Sequence, residues 1–112
     1  MTGAPNQIEL AEQIKSRANA EFDRVAVAFR RVALIQTGQD RFDTLTIVDI
    51  LEEKRREVMA MPSAGYFIHD WSEPDGQVRQ MIGRDVRYQA IQKSRGLRHA
   101  NGSRITVEGP KE

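Results

Sequence analysis

The first third of the chain carries a long apolar stripe at helical spacing. Apolar residues recur every three or four positions, at Ile14, Ala18, Phe22, Val25, Phe29 and Val32. Asn6, with Glu9 three residues later, is close to a capping box, and Gly38 is a typical C-terminal stop. The pattern predicts one helix from Asn6 to Thr37, a rod of roughly 46 Å.

A rod of this length constrains what the chain can fold into. A small domain is only about 30 Å across, and the chain has 112 residues, so one copy is not expected to cover the whole stripe. The helix either breaks near Asn19 or buries the stripe against a second copy. We predict the second case, an oligomer that is at least a dimer, with the six stripe residues as its interface.

A second helical face follows after a short loop. Its positions are Leu45, Val48, Leu51, Arg55, Val58 and Met61. Asp43 or Thr44 can cap this helix, and Pro62 ends it. Two helices joined by a short loop predict an antiparallel helical hairpin over residues 6–61.

Residues 65–82 predict a β-hairpin. Gly65–Trp71 is rich in aromatic and β-branched residues, a Pro-Asp-Gly turn follows at 74–76, and Gln77–Ile82 forms the return strand. One face would carry Tyr66, Ile68, Val78 and Ile82, and the other Phe67, His69, Trp71, Arg79 and Met81. The expected fold class is therefore α+β.

The last segment, 84–112, leaves several alternatives open within one domain of residues 1–112. Asp85 can cap a short helix over Val86–Ser94 that Gly96 ends, or the strand can extend through Val86 and Tyr88. Asn101-Gly102 can form the turn of a second hairpin, and a partly disordered tail is the other alternative.

Charge divides the chain unevenly although its net value is only +1. Residues 1–76 hold nine basic and thirteen acidic side chains, whereas residues 77–104 hold seven basic ones and a single acid, Asp85. Such asymmetry predicts an anionic partner, nucleic acid or an acidic protein surface, unless the two halves neutralise each other within the fold. The candidate contacts are Arg79, Arg84, Arg87, Lys93, Arg95, Arg98 and Arg104.

Three aromatic residues are candidates for stacking on nucleic-acid bases: Phe67, Trp71 and Tyr88. The alternative is that Phe67 and Trp71 are core residues of a domain that has few other aromatic side chains.

Catalytic chemistry finds little support in the sequence. There is no cysteine and there are two histidines, His69 and His99, so we expect no metal and no cofactor. His69 and Asp70 would point to opposite faces of a strand and cannot form a dyad. The longest apolar run, Val25–Phe29, is too short to span a membrane, and we expect a cytoplasmic protein.

The sequence therefore predicts a non-enzymatic, oligomeric binding protein that presents a basic C-terminal surface to nucleic acid. The alternative is an adaptor or inhibitor, such as a phage- or plasmid-type accessory protein, that binds another protein through its helical stripe or its hairpin edge.

Overall fold

The computed structural model describes residues 1–108, with side chains as far as Ala100. Five helices follow one another: α1 (Pro5–Leu34), α2 (Gly38–Met59), α3 (Ala64–Asp70), α4 (Pro74–Gly83) and α5 (Val86–Glu108). Residues 1–108 contain no β-strand, and one isolated bridge joins Thr2 to Ser63. The predicted α+β fold class is therefore wrong, because this part of the chain is all-α.

The predicted β-hairpin at residues 65–82 is replaced by α3 and α4. The buried positions from the start of α3 onward are Ala64, Phe67, Trp71, Pro74, Val78 and Ile82, at intervals of three or four. Those intervals place the side chains on one face of each helix, against α1. Strand preference depends strongly on context, and burial against α1 outweighs the preference of these aromatic and β-branched residues.

The turn predicted at Asp75-Gly76 is present, but it joins helical segments. Asp75 has φ −66° and ψ 121°, and Gly76 has φ 86° and ψ −20°, which are the angles of a type II turn. Glycine suits the second position because its φ is positive. The carboxylate of buried Glu21 on α1 is paired with Arg24, and this hydrogen bond is the main cause that lowers the pKa of Glu21, with a smaller effect from the nearby Gly76 backbone.

The long first helix is unbroken, and its own chain covers it. α2 packs along one side of α1, while α3 and α4 pack along another. Arg30 pairs with Glu52 at 3.0 Å and Asp23 with Arg55 at 3.4 Å, so α1 and α2 run antiparallel. Most of the stripe is therefore covered without a break near Asn19, because residues 64–83 add to the cover that α2 provides.

Two helix boundaries differ from the predicted ones, at the start of α1 and at Gly38. α1 begins at Pro5, and the side chain of Gln7 accepts a hydrogen bond from the Ala4 backbone at 3.2 Å, so Asn6 is not the cap. Gly38, with φ 59°, opens α2 instead of ending α1. α2 ends at Met59, ahead of Pro62.

The N-terminus is held to the loop that follows α2. The Thr2 backbone N–H donates to the Pro62 carbonyl at 2.7 Å, and the Ala64 N–H donates to the Thr2 carbonyl at 2.9 Å. These two hydrogen bonds, which we call the N-terminal clasp, fix the start of α3 beside the start of α1.

Aromatic side chains form the centre of the core between α1 and α3. Trp71 and Phe22 lie with ring centroids 5.7 Å apart, and Phe67 meets Tyr66 edge-on at 5.0 Å. The indole N–H of Trp71 donates to the Tyr66 hydroxyl at 3.0 Å, so burial leaves this donor satisfied. Ile47 and Leu51 of α2 belong to the same core.

The last helix, α5, runs antiparallel to α2. Arg87 contacts Glu53, whereas Arg95 and Arg98 contact Asp40, so the partners move back along α2 as α5 advances. The helix continues through Gly96 and Asn101-Gly102 to Glu108, and the strand and second-hairpin alternatives are wrong. Residues 109–112 of the predicted basic segment lie outside the described residues.

Candidate functional site

Half of the described residues of the predicted basic surface pair with acidic side chains of α2. Arg87, Arg95 and Arg98 all contact carboxylates of α2, so the basic third of the chain neutralises part of the acidic two thirds. Arg79, Arg84 and Lys93 are exposed. The side chain of Arg104 lies outside the described residues. Of the six predicted contacts whose side chains the structure describes, three are therefore paired with carboxylates of α2 and three are exposed without such a pair.

One group of contacts holds the middle of α5 against the start of α2. Arg98 donates to Asp40 at 2.6 Å and to Asp43 at 3.1 Å. Arg95 donates to the Asp40 carbonyl at 3.0 Å and to the Thr44 hydroxyl at 3.1 Å. We call this group the α5 anchor; it comprises Asp40, Asp43, Thr44, Arg95, Arg98 and His99, whose Nε2 lies 3.2 Å from Asp40.

A second group of contacts fixes the start of α5. Asp85 caps the helix by accepting from the Arg87 backbone N–H at 2.8 Å, as the sequence predicts for a cap residue. The same carboxylate pairs with Lys54 of α2 at 2.9 Å and with the Arg87 side chain at 2.9 Å. Arg87 also donates to Glu53 at 2.8 Å. Both ends of the α2–α5 contact are therefore ionic.

These contacts lower the pKa values of the carboxylates that make them. The pKa of Asp40 lies below its usual range chiefly because Arg98 donates a hydrogen bond to it. The pKa of Asp85 is lowered by Arg87 first and then by Lys54, and that of Glu53 by Arg87. Each of these groups favours the docked α5 only while it is ionised.

Acid is therefore expected to release α5. A carboxylate whose folded pKa is depressed stabilises the fold above its unfolded pKa, about 4, and loses that contribution as the pH falls further. Protection factors for backbone amides of Tyr88–His99, measured by hydrogen exchange, should be full at neutral pH and fall sharply near pH 3. The buried amides of α1 are the internal control. Equal retention of protection in both helices at low pH would contradict this expectation.

The predicted stacking residues are not a free platform. Phe67 and Trp71 are buried in the core, Trp71 to 1% exposure, and Tyr88 is half-buried where α5 meets the body of the protein. The core alternative of the sequence analysis is what the structure shows for Phe67 and Trp71. His69 is exposed on α3, and Glu52 and Glu53 are occupied by arginines.

The predicted oligomer interface is also mostly covered. Ala18, Phe22 and Val25 are buried by the chain's own helices, Ile14 and Phe29 are half-buried, and Val32 is exposed. Only the end of the stripe near Val32 is therefore accessible to another molecule. The oligomer itself stays a prediction.

Beyond Val32, exposed apolar side chains gather where α1 turns into α2. Leu34, Ile35 and Phe42 are 73%, 85% and 66% exposed. Val32 and Leu45 flank them and are also exposed. We call this set of five residues the apolar tip; all five lie within the short stretch of residues 32–45.

Most of the apolar tip lies outside the two apolar stripes from which the helices were predicted. Leu34 and Ile35 lie off the α1 stripe, and Phe42 lies off the stripe of α2, which was expected to start only after it. Large apolar residues outside both helical stripes were the available signal, because the core of a two-helix hairpin has no place for them.

The side chains up to Ala100 do not form a metal site. No group of three His, Asp or Glu residues there converges as metal ligands do. A surface groove of about 440 Å³ lies beside the joint of α4 and α5. Its charged lining residues are Arg84, which is exposed, and Lys54 and Asp85, which pair with each other.

The described residues therefore form a small all-α protein. Ion pairs join α2 to α5, and an apolar tip is exposed where α1 meets α2. No protein-family model, curated protein or solved structure matches the chain. No helix in residues 1–108 is long and apolar enough to cross a membrane.

Proposed function

We propose that this chain is a non-enzymatic protein-interaction module that docks a partner protein on its apolar tip. The main support for this proposal is the exposure of Leu34, Ile35 and Phe42, three large apolar side chains at one end of the α1–α2 pair. Single exposed apolar residues are ordinary on protein surfaces, whereas a cluster of them is typical of an interaction site. Burying each such side chain would contribute roughly 1.5–3 kcal/mol before the costs of association.

The contacts between α2 and α5 favour a protein over a nucleic acid as the partner. A nucleic acid would have to displace the two carboxylates that bind Arg98 at 2.6 and 3.1 Å, and the Asp40 carbonyl and Thr44 hydroxyl that accept hydrogen bonds from Arg95. Phosphate binding needs cations that are available to phosphate, and these two arginines are engaged. The apolar tip, by contrast, is accessible without any rearrangement of the fold.

The tip is tested by a double substitution in the full-length, tagged chain. Ile35→Asp with Phe42→Asp should leave the helical circular dichroism signal in place, because surface changes usually alter stability by only about 0.5 kcal/mol. Proteins cross-linked to the wild-type chain in its host and quantified by mass spectrometry should fall at least tenfold in the variant, which is about 1.4 kcal/mol of lost binding.

Leu10→Asp is the matched control, because Leu10 is also exposed and apolar but lies at the opposite end of α1. It should retain the wild-type set of cross-linked proteins. An identical set for all three chains would refute docking at the tip. Sedimentation velocity on the same samples tests the predicted oligomer, and a dimer that only the tip variant dissociates would make a second copy the occupant.

A further inference from the structure

We infer that the occupant of the apolar tip is an acidic amphipathic helix of a partner protein, an inference that rests on the proposed function. It depends on the arginines beside the tip. Arg31 lies three and four residues before Leu34 and Ile35, and Arg41 lies four residues before Leu45. At these spacings in a helix, neighbouring side chains share a face, so the guanidinium groups border the apolar surface.

Both arginines are available to a partner. Arg31 and Arg41 are exposed, and within the part of the chain whose side chains are described neither takes part in an ion pair. Arg31 in the last turn of α1 is favoured by the helix dipole, whereas Arg41 in the first turn of α2 is disfavoured by it. Helix stability therefore does not account for Arg41, and a binding role does.

The α5 anchor makes this end of the molecule positive. Asp40 and Asp43 are the acidic residues of the first turns of α2, and both are neutralised by Arg98. With Arg31, Arg41, Arg95 and Arg98 opposite these two carboxylates, the formal excess at this end is two positive charges. A partner with carboxylates around an apolar centre complements such a surface.

The same charge disfavours a second copy of the chain. Two tips facing each other across a twofold axis would bring Arg31 and Arg41 of one copy towards those of the other, and like charges at a rim oppose association. A helix is the expected shape of the partner segment, because strand addition needs a sheet edge and residues 1–108 have none. Apolar residues at helical spacing can follow the tip across the ends of α1 and α2, which lie roughly 8–10 Å apart.

The experiment uses two synthetic peptides of about 20 residues, long enough for appreciable helix content. Both carry Leu at positions i, i+4 and i+7 on one face. The remaining positions are shared between Ala and Glu in one peptide and between Ala and Lys in the other. Fluorescence anisotropy with the full-length chain at low salt should show micromolar binding of the Glu peptide and none of the Lys peptide. The bound Glu peptide should also gain helical circular dichroism signal.

Two arginine variants separate the contribution of the tip from net charge. Arg41→Glu should weaken binding of the Glu peptide about tenfold and favours folding of α2, because an acid suits the first helical turn. Arg17→Glu makes the same change of charge on an exposed residue in the middle of α1 and should leave binding unchanged. Equal binding of both peptides, or equal weakening by both variants, would overturn the inference.

The outcome is separable from that of the proposed function. If cross-linking in the host depends on Ile35 and Phe42 while the Glu peptide does not bind, the docking site stands and the acidic helix is wrong. If the wild-type chain instead binds heparin and the Arg41→Glu variant does not, the arginines bind a polyanion such as a polyphosphate. That result would also overturn the inference.

Discussion

Trp71→Ala should destabilise the protein by about 3–5 kcal/mol, the usual cost of removing a large aromatic side chain from a core. Trp71 is buried to 1% exposure, packs on Phe22 of α1 and donates its indole N–H to the Tyr66 hydroxyl. Its loss leaves a cavity between α1 and α3 and an unpaired hydroxyl. A domain of this size has roughly 5–15 kcal/mol of stability, so this one change removes a large share of it.

Urea denaturation followed by circular dichroism measures the effect, with His69→Ala as the control. His69 lies on α3, two residues before Trp71, but is exposed, and its substitution should shift stability by less than about 0.5 kcal/mol. In the wild-type chain, Trp71 fluorescence should resist quenching by acrylamide. A midpoint for Trp71→Ala equal to that of the control would show that the aromatic residues are not the centre of the core.

Replacing Asp40 and Asp43 together by asparagine should release α5 from α2. The change keeps side-chain size but removes both carboxylates of the α5 anchor, leaving Arg98 without a counter-ion. α5 contributes few apolar contacts of its own, chiefly Tyr88 and Ile91, so local opening should follow. Amide hydrogen exchange across Tyr88–His99 should accelerate on the order of tenfold or more, with little change in α1.

Asp23→Asn provides the matched comparison, because Asp23 also pairs with an arginine, Arg55, but at the exposed α1–α2 surface. Exposed ion pairs contribute little to stability, and exchange in α5 should be unaffected. Unchanged exchange in the double variant would mean that α5 is held by its apolar contacts and not by the anchor.

Local patterns were enough to predict some elements of this fold. The long stripe from Ile14 to Val32 has only one regular interpretation, because no strand maintains a period of three to four residues for so long. Asp85 as a cap and Asp75-Gly76 as a turn follow from side-chain and backbone chemistry that acts within a few residues.

The remaining elements depend on contacts between distant residues. α3 and α4 are short, and a segment such as Gly65–Trp71 fits a period of two about as well as a period of 3.6, so packing on α1 decides its structure. The contacts of Arg95 and Arg98 with Asp40 and Asp43 link residues more than 50 positions apart. Charge counts indicate that such neutralisation can occur, but not which residues pair.

The N-terminal clasp has a consequence for engineering the protein. It closes the α1–α2 pair at the end opposite the apolar tip, since Thr2 binds Pro62 and Ala64 there. The connection at Ile35–Thr37 is therefore not the sole restraint that holds the two helices together. Because the entropy of closing a loop grows only with the logarithm of its length, residues inserted between Gln36 and Thr37 should cost little. The tip is thus a place where a foreign peptide can be displayed, and the N-terminus, at the far end of α1, is the place to tether the protein to a surface.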